Sequence, residues 1–158
     1  MPDLRSALED AGYDDVRTLL QSGNVVVTSN TGGEKLERRL SERLLDVFGL
    51  DIPVLVRTRD ELADVIEADP LSGAAENPSH YQVSFLSAEL TRERVEELED
   101  AATPPERLAV HGREVYAYHP DGIARSDLAK LLSARKLGVE VTARNWRTLT
   151  KLLQLAGG

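Results

Sequence analysis

Apolar positions in this chain switch repeatedly between helical spacing and strict alternation, and each switch marks a new element. Leu4, Ala7, Leu8 and Ala11 share one face of a helix predicted over residues 3–11, which Gly12 stops. Val16 to Leu20 and the valine-rich Asn24 to Ser29 read as strands, with Gln21-Ser22-Gly23-Asn24 as the tight turn of a hairpin. A long helix after Gly33 carries Leu36, Leu40, Leu44 and Val47 as its buried stripe, widened by Leu45 and Phe48. Asp51 to Arg57 is a predicted strand, with Pro53 near its start. Thr58 and Glu61 form a capping box for a short helix through Ile66.

Residues 69–79 are rich in proline and small polar residues and read as a linker. His80 to Leu86 is a strand, and Thr91 caps a charged helix that turns Val95 and Leu98 inward until Thr103-Pro104-Pro105 stops it. Arg107 to Val110 and Glu114 to Tyr118 form a hairpin around His111-Gly112. A helix with Leu128, Leu131 and Leu132 ends at Gly138, and Val139 to Val141 is a short strand. Thr142 then takes the N-cap position of a last helix whose stripe is Trp146, Leu149, Leu152 and Leu153.

The second half thus reads β-α-β-β-α-β followed by a helix, which is the split βαβ or ferredoxin-like order. The first half, α-β-β-α-β, has the same order without its opening strand. The expected fold is α+β: two ferredoxin-like units with antiparallel sheets and helices on one face. Residues 1–68 hold the first unit and a connecting helix, 69–79 the linker, and 80–158 the second unit and the C-terminal helix, packed as one globular body.

At 158 residues, 41% hydrophobic and 29% charged, the composition is that of a soluble globular protein. No apolar run is long enough to span a bilayer, and the N-terminus lacks a basic-then-apolar signal pattern, so a cytoplasmic location is expected. The absence of cysteine excludes disulfides, thiol catalysis and thiolate metal sites. A net charge of −8 argues against general nucleic-acid binding. That charge is uneven: residues 123–158 balance at +5, which leaves −13 on residues 1–122. The basic end either docks on the acidic body or holds a local anion.

The sharpest chemical hint lies in that basic end. The positive end of a helix dipole favours acids, yet the predicted start of the last helix offers Arg144, Asn145 and Arg147. Free N–H groups beside cations describe an anion site. Arg125 and the N-cap candidate Ser126 repeat the signature one helix earlier. Ser22, Gly23 and Asn24 present a third group of backbone N–H donors, although a hairpin turn also needs Gly and Asn for positive φ. Trp146 shares its stripe with leucines and reads as core. His80, His111 and His119 show no metal-ligand spacing, and His111 and His119 are expected to be exposed. The chain carries no nucleophile elbow, phosphate loop or dinucleotide fingerprint, so neither a metal nor a cofactor is implied.

Asp15-Val16-Arg17-Thr18 through Gln21-Ser22-Gly23-Asn24-Val25-Val26 resembles the early motif of domain-of-unknown-function family 1697, a family of uncharacterised bacterial proteins. Thr142-Ala143-Arg144-Asn145-Trp146-Arg147-Thr148 with Lys151-Leu152 resembles its closing motif, and Tyr81 to Leu86 and Gly122 to Ser126 match weaker patterns between. The resemblance implies two ferredoxin-like units and supplies no catalytic residues. Family members usually open with a strand and a glycine-rich loop, whereas Met1-Pro2-Asp3-Leu4-Arg5 begins at about the first helix. A late start, a genuine truncation, or another chain or segment filling the gap each fit that departure.

Three functional readings follow. The first is a binding module for a small phosphate- or carboxylate-bearing ligand, or a nucleic-acid end, at Arg125, Arg144 and Arg147. The second is an interaction protein whose open sheet edge is completed by a partner or by a second copy in a homodimer. The third is a transferase or hydrolase that uses the same anion site.

Overall fold

Local capping chemistry sets most element boundaries. The computed structural model describes residues 2–19, 23–71 and 73–157. It orders them as α1 (Pro2–Asp10), β1 (Asp14–Leu19), β2 (Asn24–Thr28), α2 (Gly33–Phe48), α3 (Arg59–Ala68), β3 (Tyr81–Leu86) and α4 (Arg92–Ala101). There follow β4 (Arg107–His111), β5 (Glu114–Tyr118), α5 (Asp127–Leu131), α6 (Ala134–Leu137), β6 (Val141–Asn145) and α7 (Trp146–Leu155). The capping box before α3 forms in full: Thr58 N–H donates to Glu61 Oε1 at 2.8 Å and Glu61 N–H to Thr58 Oγ1 at 3.1 Å. Thr91 caps α4 by accepting from Arg94 N–H, and Gly138 ends α6 in the left-handed region.

The fold is α+β, with two antiparallel sheets and seven α-helices among the described residues. The chain divides into two compact units, Met1–Asp64 with Thr150–Gly158, and Val65–Leu149. Those divisions fall inside α3 and α7 and not at the expected linker. Residues 69–79 have structural work: Leu71 and Ala74 are buried, and Asp69 Oδ1 accepts the Tyr81 hydroxyl at 2.9 Å.

In the second unit the sheet order is β4-β5-β3-β6, antiparallel throughout. On one face Leu86, Val115 and Ala117 pack with Leu98 of α4, Leu128 of α5 and Leu137 of α6. The helix expected across residues 127–137 is split, because the Ser133 side chain accepts from Lys136 N–H and starts a new one. Tyr81, Val83 and Tyr116 are buried on the opposite face of the alternating strands, where the Tyr81 ring stacks on Trp146 at 4.4 Å with planes 3° apart. The Tyr116 hydroxyl donates to Val65 O at 2.8 Å. Trp146 is therefore core, as its stripe predicts.

Burial, reinforced by the charges of Glu114 and Asp69, pushes the Tyr116 phenol up from 10.0 to about 12. Burial and the bond to Asp69 also raise Tyr81. A phenol that ionises later in the folded state leaves the unfolded chain with fewer bound protons between the two pKa values, so stability falls as pH rises there. The unfolding free energy should be unaffected by these phenols below about pH 10 and decline from there through about pH 12. Urea titrations read by Trp146 fluorescence test this, and a profile flat through that window would refute it.

The first unit has a thinner core. Among its described residues Ala7, Leu8, Val16 and Leu36 are the buried apolar side chains. β1 and β2 pair as a hairpin with Arg17 opposite Val26 and Leu19 opposite Asn24, and Arg17 Nη1 donates to Leu155 O at 2.8 Å. Of the stripe predicted on α2, Leu36 is buried, Leu40, Leu44 and Phe48 are half-buried, and Leu45 and Val47 are exposed. Ala11, expected on the inner face of α1, is exposed too.

The strand predicted at residues 51–57 does not form. A strand exists only where it has a ladder partner. In the second unit the last strand, β6, finds its ladder on the opening strand, β3. The first unit has no described strand in the opening position, and its sheet is β1-β2 alone. The amide of Val56 donates instead to Glu37 Oε2 of α2 at 3.0 Å.

Candidate functional site

Asn145, and not Thr142, caps the last helix: Asn145 Oδ1 accepts from Thr148 N–H at 2.9 Å. Thr142, Ala143 and Arg144 belong to β6, opposite Phe85, Ser84 and Val83. Strand alternation turns Arg144 and Thr142 to the same face, where Arg144 Nη1 donates to Thr142 Oγ1 at 2.6 Å and to Ala143 O at 2.8 Å. Arg144 is half-buried, and that burial lowers its pKa from the ordinary value. At the start of α7, Trp146 N–H donates to Pro78 O, so two N–H groups of its first turn serve the protein itself. Arg147 and Arg125 are exposed. The expected pairing of Arg144 with a helix start therefore gives way to a place in a sheet.

Ser126 is the N-cap of α5, accepting from Ala129 N–H at 2.9 Å, as expected. Its hydroxyl also donates to Glu106 Oε2, the same oxygen that meets His119 Nδ1 at 2.6 Å. Ser126 Oγ and His119 Nδ1 lie 3.2 Å apart. His119 is fully buried, contrary to the exposure expected of a histidine before a proline. Its backbone N–H donates to His80 O at 3.0 Å, which draws the residue in beside the end of β3.

That arrangement is a lock and not a nucleophilic triad. A triad needs the hydroxyl on Nε2 and the carboxylate on Nδ1. Here hydroxyl and imidazole meet one carboxylate oxygen on the Nδ1 side, while Nε2 is buried with no hydrogen-bond partner among the described residues. The cluster ties the α4–β4 connection to the start of α5. No spacing rule joins Glu106 to residues 13 and 20 positions away, so only the fold reveals it.

In the first unit, Gly23 takes the positive φ of 68° that the predicted turn requires, whereas Asn24 is the buried first residue of β2. Gln21 and Ser22, the other half of that turn, lie outside the described residues. Among the described residues β2 pairs with β1 along one edge only. Of the five exposed large hydrophobic residues among the described ones, four, Leu45, Val47, Leu50 and Ile52, fall in the same unit. A cleft of about 430 Å³ faces Arg39 and Arg43 of α2, but Asp14, Glu42 and Asp46 line it too and cancel their charge. Both guanidinium groups are also engaged, with Thr31 Oγ1 and with Ala7 O. Among the described residues no group of three or more His, Cys, Asp or Glu side chains is placed to hold a metal ion, and no helix is long and apolar enough to cross a membrane.

The family described as "Protein of unknown function (DUF1697)" matches residues 1–116. The chain belongs to this family. The DUF1697 match takes in the β1–β2 hairpin and Glu106 and stops within β5, so the closing motif at residues 142–152 lies outside it. The solved structure of the conserved bacterial protein SP0830 from Streptococcus pneumoniae resembles this DUF1697 chain with a TM-score of 0.75, at 18% identity. The likeness covers 100% of this chain and 89% of that one, and it is a likeness of fold. No curated protein matches the chain.

Proposed function

We propose that this DUF1697 protein is an interaction module whose first unit accepts an extended strand beside Val25, Val26 and Val27, on the side of β2 that faces away from β1. The observation that carries the reading is that among the described residues β2 has a ladder on one side only, while residues 21–33 contain no charge and no proline to guard the other. The apolar side chains left exposed from Leu45 to Ile52 add to it. We read the second unit as ferredoxin-like, which its element order, its sheet order and the packing of α4, α5 and α6 on one face support. From its first helix onward the first unit follows the same order of elements. In the second unit the opening strand β3 lies between β5 and β6. The corresponding slot in the first lies beside β2, the counterpart of β5.

An anion site at Arg125, Arg144 and Arg147 ranks behind this, because Ser126, Asn145 and Arg144 already bond groups of the protein. The transferase or hydrolase reading rested on that same site and falls with it in rank.

Strand addition is carried by main-chain hydrogen bonds, so it tolerates side-chain variation and not amide methylation. A short synthetic peptide of alternating Thr and Val should slow exchange by about tenfold or more at saturation at those amides among Val25, Val26 and Val27 that point away from β1, which alternate along the strand. The same peptide N-methylated at alternate amides should have no effect. Exchange at β2 indifferent to both peptides would sink the reading.

A further inference from the structure

We infer that the cleft of the first unit binds a small ligand with one anionic and two cationic groups, the chemistry of a free basic amino acid. The cleft is built from residues 11–46 alone: the turn from α1 into β1, the end of β2 with the segment after it, and one side of α2. At about 430 Å³ it lies toward the small end of the range that ligand sites occupy.

The first support is the arrangement of charge. Arg39 and Arg43 follow one another at four-residue spacing on α2, and so do Glu42 and Asp46 beside them. Like charges at that spacing repel across a helix surface. Yet among the described residues neither guanidinium forms an ion pair with Asp14, Glu42 or Asp46. Charges of both signs thus line one concavity and leave each other unpaired. A ligand that carries both signs satisfies them together.

The second support is orientation. Arg43 is half-buried, and its Nε donates to Ala7 O at 3.2 Å. That bond fixes the guanidinium against α1 and leaves both Nη groups to grip a carboxylate. Arg39 spends Nη1 on Thr31 Oγ1 at 3.3 Å and keeps its other donors. A backbone feature aims the facing acid. The β1–β2 register shifts between Asp14 and Arg17, and Asp15 takes the left-handed region at φ 51°. Such a bulge redirects a side chain. Asp15 turns to β2, where Oδ2 accepts the Thr28 hydroxyl at 3.3 Å, and Asp14 is left to the cleft. Two guanidinium groups against three carboxylates call for one carboxylate and two ammonium groups in return.

The probe is L-lysine, titrated into the full chain and followed by proton–nitrogen correlation NMR. Half-saturation is expected at about 1 mM, with the shifts concentrated at the amides of residues 11–14 and 28–30. Cadaverine lacks the carboxylate and ε-aminocaproate lacks the α-ammonium, and each should bind about tenfold more weakly. A chain of net charge −8 by itself attracts the doubly charged cadaverine more than lysine, so this order separates a built site from general acidity. Arg39→Gln should weaken lysine about tenfold and leave cadaverine unchanged, whereas Asp46→Asn should weaken both. Both residues are exposed, so neither change threatens the fold.

Cadaverine binding as tightly as lysine overturns the inference, as do shifts spread over the acidic surface or no saturation in the millimolar range. An Arg39→Gln variant that binds lysine unchanged overturns it too. The Thr-Val peptide acts on other amides, so the strand-acceptor reading stands or falls separately.

Discussion

Replacing Trp146 by alanine should lower the unfolding free energy by about 3–5 kcal/mol, the usual cost of emptying a large aromatic site in a core. Trp146 is 6% exposed and stacks on Tyr81, which in turn packs against Tyr116 at 6.4 Å between ring centroids. The substitution opens a cavity against the Tyr81 ring, in a close-packed core that relaxes only in part around it. Trp146→Phe keeps a ring against Tyr81 and should lose less. Removing the fluorophore rules out fluorescence, so urea unfolding followed by far-ultraviolet circular dichroism is the measurement. Leu45→Ala is the contrast: at 49% exposure it should change stability by no more than about 0.5 kcal/mol. Equal effects at the two positions would contradict the assignment of Trp146 to a packed core.

Glu106→Ala should cost about 2–4 kcal/mol, because it strips one shared acceptor from two donors at once. The His119 ring is fully buried and Ser126 nearly so, so neither recovers the lost bond from water. The Ser126 hydroxyl has His119 Nδ1 at 3.2 Å as a second choice, but taking it moves the ring proton to Nε2, which is already unpartnered. Glu106→Gln keeps one acceptor oxygen and should cost about half as much. Urea unfolding read by Trp146 fluorescence separates these outcomes, since Trp146 lies in the same unit. A glutamine variant as damaging as alanine would show that the charge matters, and not the count of hydrogen bonds. Two stable variants would remove the cluster as a structural lock.

What was legible from sequence follows the range of the interaction involved. The Thr58–Glu61 box, the Thr91 and Ser126 caps, and Gly138 each involve groups within a few residues, and each stands where the pattern predicts. The β4–β5 hairpin is equally local. The end of β6 is ambiguous in the sequence because Thr142 and Asn145 are both good caps, and the choice between them belongs to β3. Pairing with Val83 and Ser84 holds Ala143 and Arg144 in the sheet and moves the helix start to Trp146. A signal was present in Asn145 itself, three residues before the amide it caps.

The sequence by itself determined the α+β class, most of the order of elements and the core role of Trp146, because periodicity and capping are written in neighbouring residues. It also placed the uncharged valine run of β2. Tertiary structure alone decided that residues 51–57 form no strand, that Arg144 lies in a sheet, and that His119 is buried against Glu106 and Ser126. Each of these depends on a partner many residues away, present or absent. A ladder, a desolvated guanidinium and a buried imidazole are all properties of a pair, and one stretch of chain specifies only half of it.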